Sequence, residues 1–275
     1  MHHLAKIVNG APLVRPEWYY DTRVQGNGLV DITSHMCDQV QWMLASAPGS
    51  ADYDYAADVK LSSAQTSDTE VPLSLFADNT GASEFPGWAA AMLRPSDPEG
   101  SGPLWAGGED EAVLPLAANG VLEYSLRGVS VRHTAEWRPR EPVGGGDLHS
   151  STLRGTVCEV TVGCGPETNY KQELALRPLP EHVESFGAAL EAAVERWQAK
   201  FKGVGAQAVA DGSWILTIPT AISPSHEEHF AMVMEEFLDY IGGDGWPSSL
   251  TAAIRMRYTL LANAHALGEQ SRAKH

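Results

Sequence analysis

An α+β fold built on antiparallel strands is what the sequence predicts, and three features predict it. Between residues 112 and 178, strand-like runs follow one another with only short turns, as antiparallel strands do. Helical periodicity is confined to the two ends of the chain, at about 28–44 and after 182. Nowhere do strands and helices alternate as a parallel βαβ sheet requires. The 275 residues, 43% of them hydrophobic, suffice for a sizeable core. No convincing boundary divides them, so the reading is one domain over 1–275.

The elements follow in order. "APLVRPEWYYDTRV" (11–24) reads as an aromatic-rich extended entry strand, punctuated by Pro12 and Pro16. A helix follows from about Gly28 to Leu44. Its apolar face is Leu29, Ile32, Met36, Val40 and Met43, recurring at three- and four-residue steps. "ADVKLSSAQT" reads as a strand, and "RPSDPEGSGP" (94–103) as a loop by its Pro, Gly and Ser content. In "AVLPLAANGVLEYSLRGVSVRHTAEWRP" the strand-like runs break at Asn119-Gly120 and at Gly128. Asn-Gly between such runs is a strong hairpin signal. "TVCEVTVG" and "YKQELALRP" continue the meander around the turn "GCGPETN".

The last third adds helices. Residues 182–201 present Phe186, Leu190, Val194 and Trp197 on one face, and "GSWILTIPT" returns as a strand. Ser225 followed by Glu228 makes a capping box and opens a helix to about Ile241. Its core face is Phe230, Val233, Met234, Phe237 and Ile241. After "GGDGWPSS" a last helix runs from about Leu250 to Leu267.

Charge bounds the partners. With 19 Lys and Arg against 35 Asp and Glu, the formal net charge is −16. Such a surface repels phosphate backbones and anionic headgroups, so neither nucleic acid nor membrane is expected as a partner. No run of roughly 18 apolar residues is present. The first residues lack the apolar stretch and cleavage site of a signal peptide. Cys37, Cys158 and Cys164 form no CxxC and read as packing residues of a cytoplasmic protein. His2 and His3 read as surface residues.

The usual cofactor motifs fail on context. Gly203-Val-Gly205-Ala-Gln-Ala208 matches GxGxx[GA]. It follows a helix and precedes a strand, the reverse of a dinucleotide site. There is no GxxxxGK[ST] and no GxSxG. In "HEEH" (226–229) the histidines are three apart, not four.

One stripe does suggest chemistry. In "GNGLVDITSHMCD" (26–38), Asp31 and His35 stand at i and i+4, about 40° apart around a helix. Asp38 and Trp42 continue the line. A carboxylate beside an imidazole suits general acid/base work. By spacing alone the stripe reads first as the polar face of an amphipathic helix. His149 follows three glycines and Asp147, in a loop whose backbone can approach a ligand closely. Arg23 and Arg154 suit a carboxylate or hydroxyl clamp, or a surface ion pair. His226 stands in the first turn of its helix. Trp18, Tyr19 and Tyr20 suit a pocket wall or the core. Asp31, His35, His149 and His226 have the residue types of a zinc or manganese site. No spacing demands one, and no metal is assigned.

The stretch from "KIVNGAPLVRPEWYYDTRVQGNGLVDITSHMCDQVQW" through "GGGDLHSSTLRGT" to "SHEEHF" resembles the C-terminal domain of Gfo/Idh/MocA-type oxidoreductases. It is most similar to the branch called putative oxidoreductase C-terminal domain proteins. The G-x-x-D-x-x-x-H-x-x-D pattern falls on Gly28, Asp31, His35 and Asp38. The resemblance implies a large, mostly antiparallel sheet with helices on one face. That domain supplies a substrate pocket for sugars, polyols and related hydroxy compounds, and often an oligomer interface. Asp31 and His35 would serve substrate binding and proton transfer. Tyr20, Arg23, Asp38, His149, Arg154 and His226 would contact substrate.

The family's N-terminal Rossmann domain and its E-K-P lysine have no counterpart here. This chain alone is therefore expected to bind no cofactor. NAD(P) enters only with a separate Rossmann-domain partner. The expected function is cofactor-independent proton transfer on a hydroxy or keto compound: isomerisation, elimination, hydration or cyclisation. The alternatives are the substrate-binding subunit of a split NAD(P)-dependent oxidoreductase, or a non-catalytic oligomerisation module. A homodimer or higher homo-oligomer through the sheet face is expected.

Overall fold

In the computed structural model, residues 1–45, 53–95, 112–243 and 245–272 are described, apart from the side chains of 226 and 227. The chain falls into two compact units. One comprises Met1–Val143 with Trp246–His275, the other Gly144–Gly245. Both are α+β with antiparallel sheets, the fold class expected. The meander does not form one sheet: four strands belong to the first unit's main sheet and five to the second's.

The first unit opens with strand β1, His2–Ala5, which pairs in parallel with β5, Trp137–Arg140. His2 and His3 are thus strand residues. His3 is buried and the His2 ring stacks 5.1 Å from Trp137, so the surface reading is corrected. The segment 11–24 is also not the predicted strand. Only Ala11–Pro12 pairs in a ladder. Beyond it, Pro16 caps a 3-10 turn, Glu17–Tyr20, and Asp21 caps a short helix, Thr22–Gln25, by accepting from Arg23 N. Proline and the Asp21 cap give this backbone a local alternative to strand pairing.

Helix α1, Asp31–Ala45, lies where the periodicity put it. Its buried line is Thr33, Cys37 and Gln41, one step round from the apolar positions read from sequence. Gln41 is held there by donating to Ala253 O at 3.0 Å, and its own carbonyl accepts from the Tyr53 hydroxyl. Strand β2, Val59–Pro72, leads into the short helix α2, Leu73–Thr80. Of the predicted 94–103 loop, Arg94–Pro95 pairs with the next strand and the rest lies outside the described residues.

That next strand, β3, Ala112–Leu126, is central. It pairs antiparallel with β2 on one side and with β4, Val129–Ala135, on the other. The β3–β4 hairpin turns at Arg127-Gly128, both at positive φ, as a tight two-residue hairpin requires. The expected turn at Asn119-Gly120 does not exist. Those residues lie inside β3, beside an irregularity where the β2 ladder skips Ala117 and Ala118. The last helix, Ser248–Arg272, covers the sheet with Met256, Leu260, Leu261 and Ala264 packed on Leu122, Tyr124 and Leu126. A second cluster around Tyr20, Phe76, Leu114 and Trp137 fills the other part of this unit.

The second unit is a five-stranded antiparallel sheet. Its edge strand His149–Arg154 pairs with Cys158–Cys164, and that in turn with Glu173–Pro178. The helix Val183–Trp197 seats Phe186 and Leu190 on this sheet, on the face the periodicity named. The Ser225–Glu228 capping box is formed and opens the helix His226–Gly242. The face predicted to be core on that helix is exposed: Phe230 at 67%, Val233 at 65% and Ile241 at 66%. Periodicity identifies which side of a helix is apolar, not what covers it. Among the described residues no helix is long and apolar enough to cross a membrane.

Candidate active site

The chemistry-bearing stripe sits where a loop crosses the central strand. The short helix Thr22–Gln25 ends at Gly26, whose φ of 89° suits glycine. The Asn27 side chain then accepts from Leu29 N at 3.0 Å, and its carbonyl accepts from Val30 N and Asp31 N. This is an N-cap in substance, and it starts α1 at Asp31. The other end of the Asn27 amide donates to His265 at 2.8 Å and to Glu269 at 3.1 Å on the last helix. Gly28 N donates to Ala117 O, the carbonyl that the β2 ladder leaves aside.

Gly28 and Gly120 meet backbone to backbone. A Cβ on Gly28 would lie 2.3 Å from Asn119 C and 2.4 Å from Ala118 O. One on Gly120 would lie 2.6 Å from Gly28 C. Neither has positive φ, so space and not conformation selects glycine here. Asn119 completes the support. Its Oδ1 accepts from Trp137 N at 2.8 Å, and its Nδ2 donates to Thr69 Oγ1 at 3.1 Å. The supposed turn dipeptide therefore holds two pieces of the site: Gly120 seats the Asp31 loop, and Asn119 holds the Trp137 backbone.

These pieces line a shallow cleft within the first unit, open to solvent at its mouth. Leu4, Tyr19, Leu116 and Trp137 give it apolar walls, while Thr22, Gln25 and Asp31 give it polar groups. Aromatic walls with few polar groups are the usual makeup of a small-molecule site. Gln25 Nε2 donates to Asp31 Oδ1 at 3.1 Å. Burial raises the Asp31 carboxyl above its ordinary value. The Gln25 hydrogen bond and the charges of His2, His35 and Arg15 pull the other way. The N-terminus of α1 also favours the anion, so Asp31 is a half-buried carboxylate under opposed influences.

The other predicted residues divide. His35 is exposed one turn along α1, with its charge felt at Asp31. Asp38 forms an ion pair with Arg257 of the last helix, and Trp42 is 72% exposed. Tyr20 is wholly buried, edge-on to Phe76 at 5.0 Å, and its hydroxyl accepts from Asn79. Its neighbour Tyr19 is the tyrosine that reaches the cleft. Arg23 grips Asp21 with both ends of its guanidinium, at 2.8 and 2.7 Å. That hydrogen bonding holds the Asp21 carboxyl below the ordinary range.

In the second unit, Arg154 pairs across the ladder with Glu159 at 3.1 Å. His149 opens the edge strand opposite Cys164, half-buried. His226 is the first residue of its helix, and its side chain lies outside those described. Among the described residues, no three His, Cys, Asp or Glu side chains are grouped to hold a metal ion.

Sequence reasoning missed Gln25, Asn27 and Trp137. Asn27 carried a usable signal, an Asn just before a helical run. Gln25 carried none, and Trp137 reaches the cleft through a parallel pairing with β1 across more than 130 residues of chain. The glycines of 203–208 do not fit a dinucleotide. Gly205–Ala208 runs as a strand paired with Trp214–Thr217, and no helix N-terminus follows to receive a pyrophosphate.

Comparison with known proteins places the chain in a family of oxidoreductase C-terminal domains. The model of the family described as "Putative oxidoreductase C terminal domain" matches residues 1–269. The crystal structure of a "putative oxidoreductase" from Parabacteroides merdae ATCC 43184 superposes with a TM-score of 0.86 at 29% sequence identity. The match covers 98% of this chain and 57% of that one, so the chain spans little more than half of that protein. No curated protein matches.

Proposed function

Because this chain belongs to the putative oxidoreductase C-terminal domain family, we propose that it binds a small hydroxy or keto compound in the Asp31 cleft and moves a proton there. The observation that carries this reading is Asp31 itself. It lines an aromatic-walled cleft, it is half-buried, and burial raises its carboxyl above the ordinary value, as suits a group that exchanges protons with a substrate. A substrate hydroxyl in the cleft donates to Asp31. Asp31 takes the proton from the carbon bearing that hydroxyl, beside the carbonyl, to leave an enediol, and returns it, while the sugar-like face stacks on Tyr19 and Trp137. His35, exposed one turn away, passes the proton to solvent.

The test needs no nicotinamide. Proton NMR in D2O would follow exchange of the carbon-bound proton beside the carbonyl of a 2-ketose such as D-fructose. Asp31→Asn is expected to slow that exchange by about 10²–10⁴. Equal exchange in both proteins would remove Asp31 from the reaction.

A second reading has its own support. The chain spans 57% of the matched oxidoreductase, which favours a substrate-binding half whose hydride carrier sits on another domain or chain. Substrate oxidation that appears only when a nucleotide-binding partner and NAD(P) are supplied selects that reading.

A further inference from the structure

We propose that Arg15 is an anion-binding residue of this site and that the compound bound there carries a carboxylate beside its reacting hydroxyl. The inference rests on the Asp31 cleft being the substrate site.

Arg15 is held at both its backbone and its side chain. Its backbone N donates to Asn79 O at 2.7 Å. Nε donates to Leu4 O at 3.0 Å and Nη2 to His3 O at 3.3 Å, along β1. The guanidinium carbon lies 4.2 Å from the centre of the Tyr19 ring and 5.4 Å from that of Trp137, the two aromatic walls of the cleft. The group is therefore anchored at one end and stacked on its face, at the cleft's edge.

What it lacks is a carboxylate. Other arginines of this unit, Arg23, Arg127, Arg140 and Arg257 among them, each stand against one. Arg15 forms no ion pair with a described residue, in a chain with 35 acidic side chains to 19 basic ones. A guanidinium has five N–H groups. Two of Arg15's are used, leaving a pair on Nη1 and one on Nη2 without a protein acceptor among the described residues. Two parallel N–H groups match the two oxygens of a carboxylate. A single arginine anchored in this way offers one fork of N–H groups, which suits a monoanion better than a phosphate.

Position links Arg15 to the chemistry. Its charge is among those felt at Asp31. A substrate carboxylate on Arg15 neutralises that influence, while the neighbouring hydroxyl lies toward Asp31. Recognition of the acid thereby also shifts Asp31 toward holding its proton.

The experiment is calorimetric titration of the full chain with matched probes. D-gluconate is compared with D-glucitol, and D-galacturonate with D-galactose, with D-glucose 6-phosphate as a third kind. The acids are expected to bind about tenfold or more tighter than their neutral partners. Arg15→Gln is expected to bring the acid-to-neutral ratio near one. Arg15→Lys, which keeps the charge without the fork, should lose most of the preference, and it serves if Arg15→Gln does not fold.

Equal binding of acid and neutral probes by the unaltered protein overturns the proposal. So does tighter binding of the phosphate, or an acid preference that survives both substitutions. If binding of both kinds weakens in Asp31→Asn while Arg15→Gln leaves the ratio unchanged, the anion inference fails and the site stands. If no probe binds, or none responds to Asp31→Asn, the site reading itself fails and takes this one with it.

Discussion

Replacing Gly28 with alanine tests the support of the Asp31 loop directly. The added methyl would lie 2.3 Å from Asn119 C, 2.4 Å from Ala118 O and 2.6 Å from Gly120 N. Reaching even a tight contact of about 3.4 Å needs a shift of roughly 1 Å. The atoms it meets are backbone of β3, which is paired near this point on both sides and cannot yield. The loop must move instead, carrying Asp31 with it. Overpacking of this kind costs about 1–3 kcal/mol. Lifting the loop also strains the hydrogen bonds Gly28 N to Ala117 O and Thr33 Oγ1 to Gly28 O, each worth about 1 kcal/mol. The sum is about 3–5 kcal/mol, a large share of the 5–15 kcal/mol typical of a folded domain.

Urea unfolding followed by circular dichroism reads this as a midpoint drop of roughly 1–3 M. Gly120→Ala makes the same close approach from the other side and should fall in the same range. The double variant should cost less than the sum, because one displacement relieves both contacts. Gly87→Ala, which meets nothing within 4 Å and has no positive φ, is the control and should be near neutral. A Gly28→Ala stability within about 0.5 kcal/mol of the parent, or strictly additive glycine variants, would refute the pinned loop.

Three other outcomes are expected. His133 is buried beside the Tyr124 hydroxyl, and burial lowers its pKa from 6.5 to about 4. The unfolded chain therefore takes up the proton first. Stability is full above about pH 6.5 and falls by about 3 kcal/mol toward pH 4. Urea titrations across that window check this, and His133→Gln should flatten the slope. Asp31→Asn should raise the urea midpoint at neutral pH, because burial raises the native carboxyl pKa and so disfavours its charged form. An unchanged or lowered midpoint would show that the carboxylate carries no such strain. Asn27→Ala removes a cap and the two hydrogen bonds that tie the loop to His265 and Glu269. It should cost about 2–3 kcal/mol in urea unfolding, and a loss under about 0.5 kcal/mol would show that α1 starts without it.

Much of the fold was legible because local rules act locally. The capping box at Ser225, the helix at 183–197 and the strands Cys158–Cys164, Glu173–Pro178 and Trp214–Thr217 followed from periodicity and caps, whereas His149, read as a loop residue, opens a strand. The failures have physical causes of another kind. Asn119-Gly120 carried the letters of a hairpin, but Gly120 was chosen by a backbone crossing from ninety residues away, which no local pattern records. The helix at 226–242 has a core-like stripe whose cover lies outside what periodicity can address. At the site, Asp31 and His35 were found by spacing and resemblance. Tyr20 was preferred over Tyr19 because only three-dimensional packing separates the core tyrosine from the cleft tyrosine. Arg15 and Trp137 needed the β1–β5 pairing before their nearness had meaning.

The first unit is discontinuous in sequence, and this sets an order of events during synthesis. Residues 1–143 leave the ribosome well before the helix Ser248–Arg272 that covers their sheet. Roughly a hundred residues of the second unit emerge in between. At about 5–20 residues per second that interval is on the order of ten seconds. Throughout it, Leu122, Tyr124 and Leu126 lack the Met256, Leu260 and Leu261 that later seal them. Asn27 likewise lacks His265 and Glu269. The Asp31 loop can reach Gly120 and Ala117 from the start, but its ties to His265 and Glu269 come last.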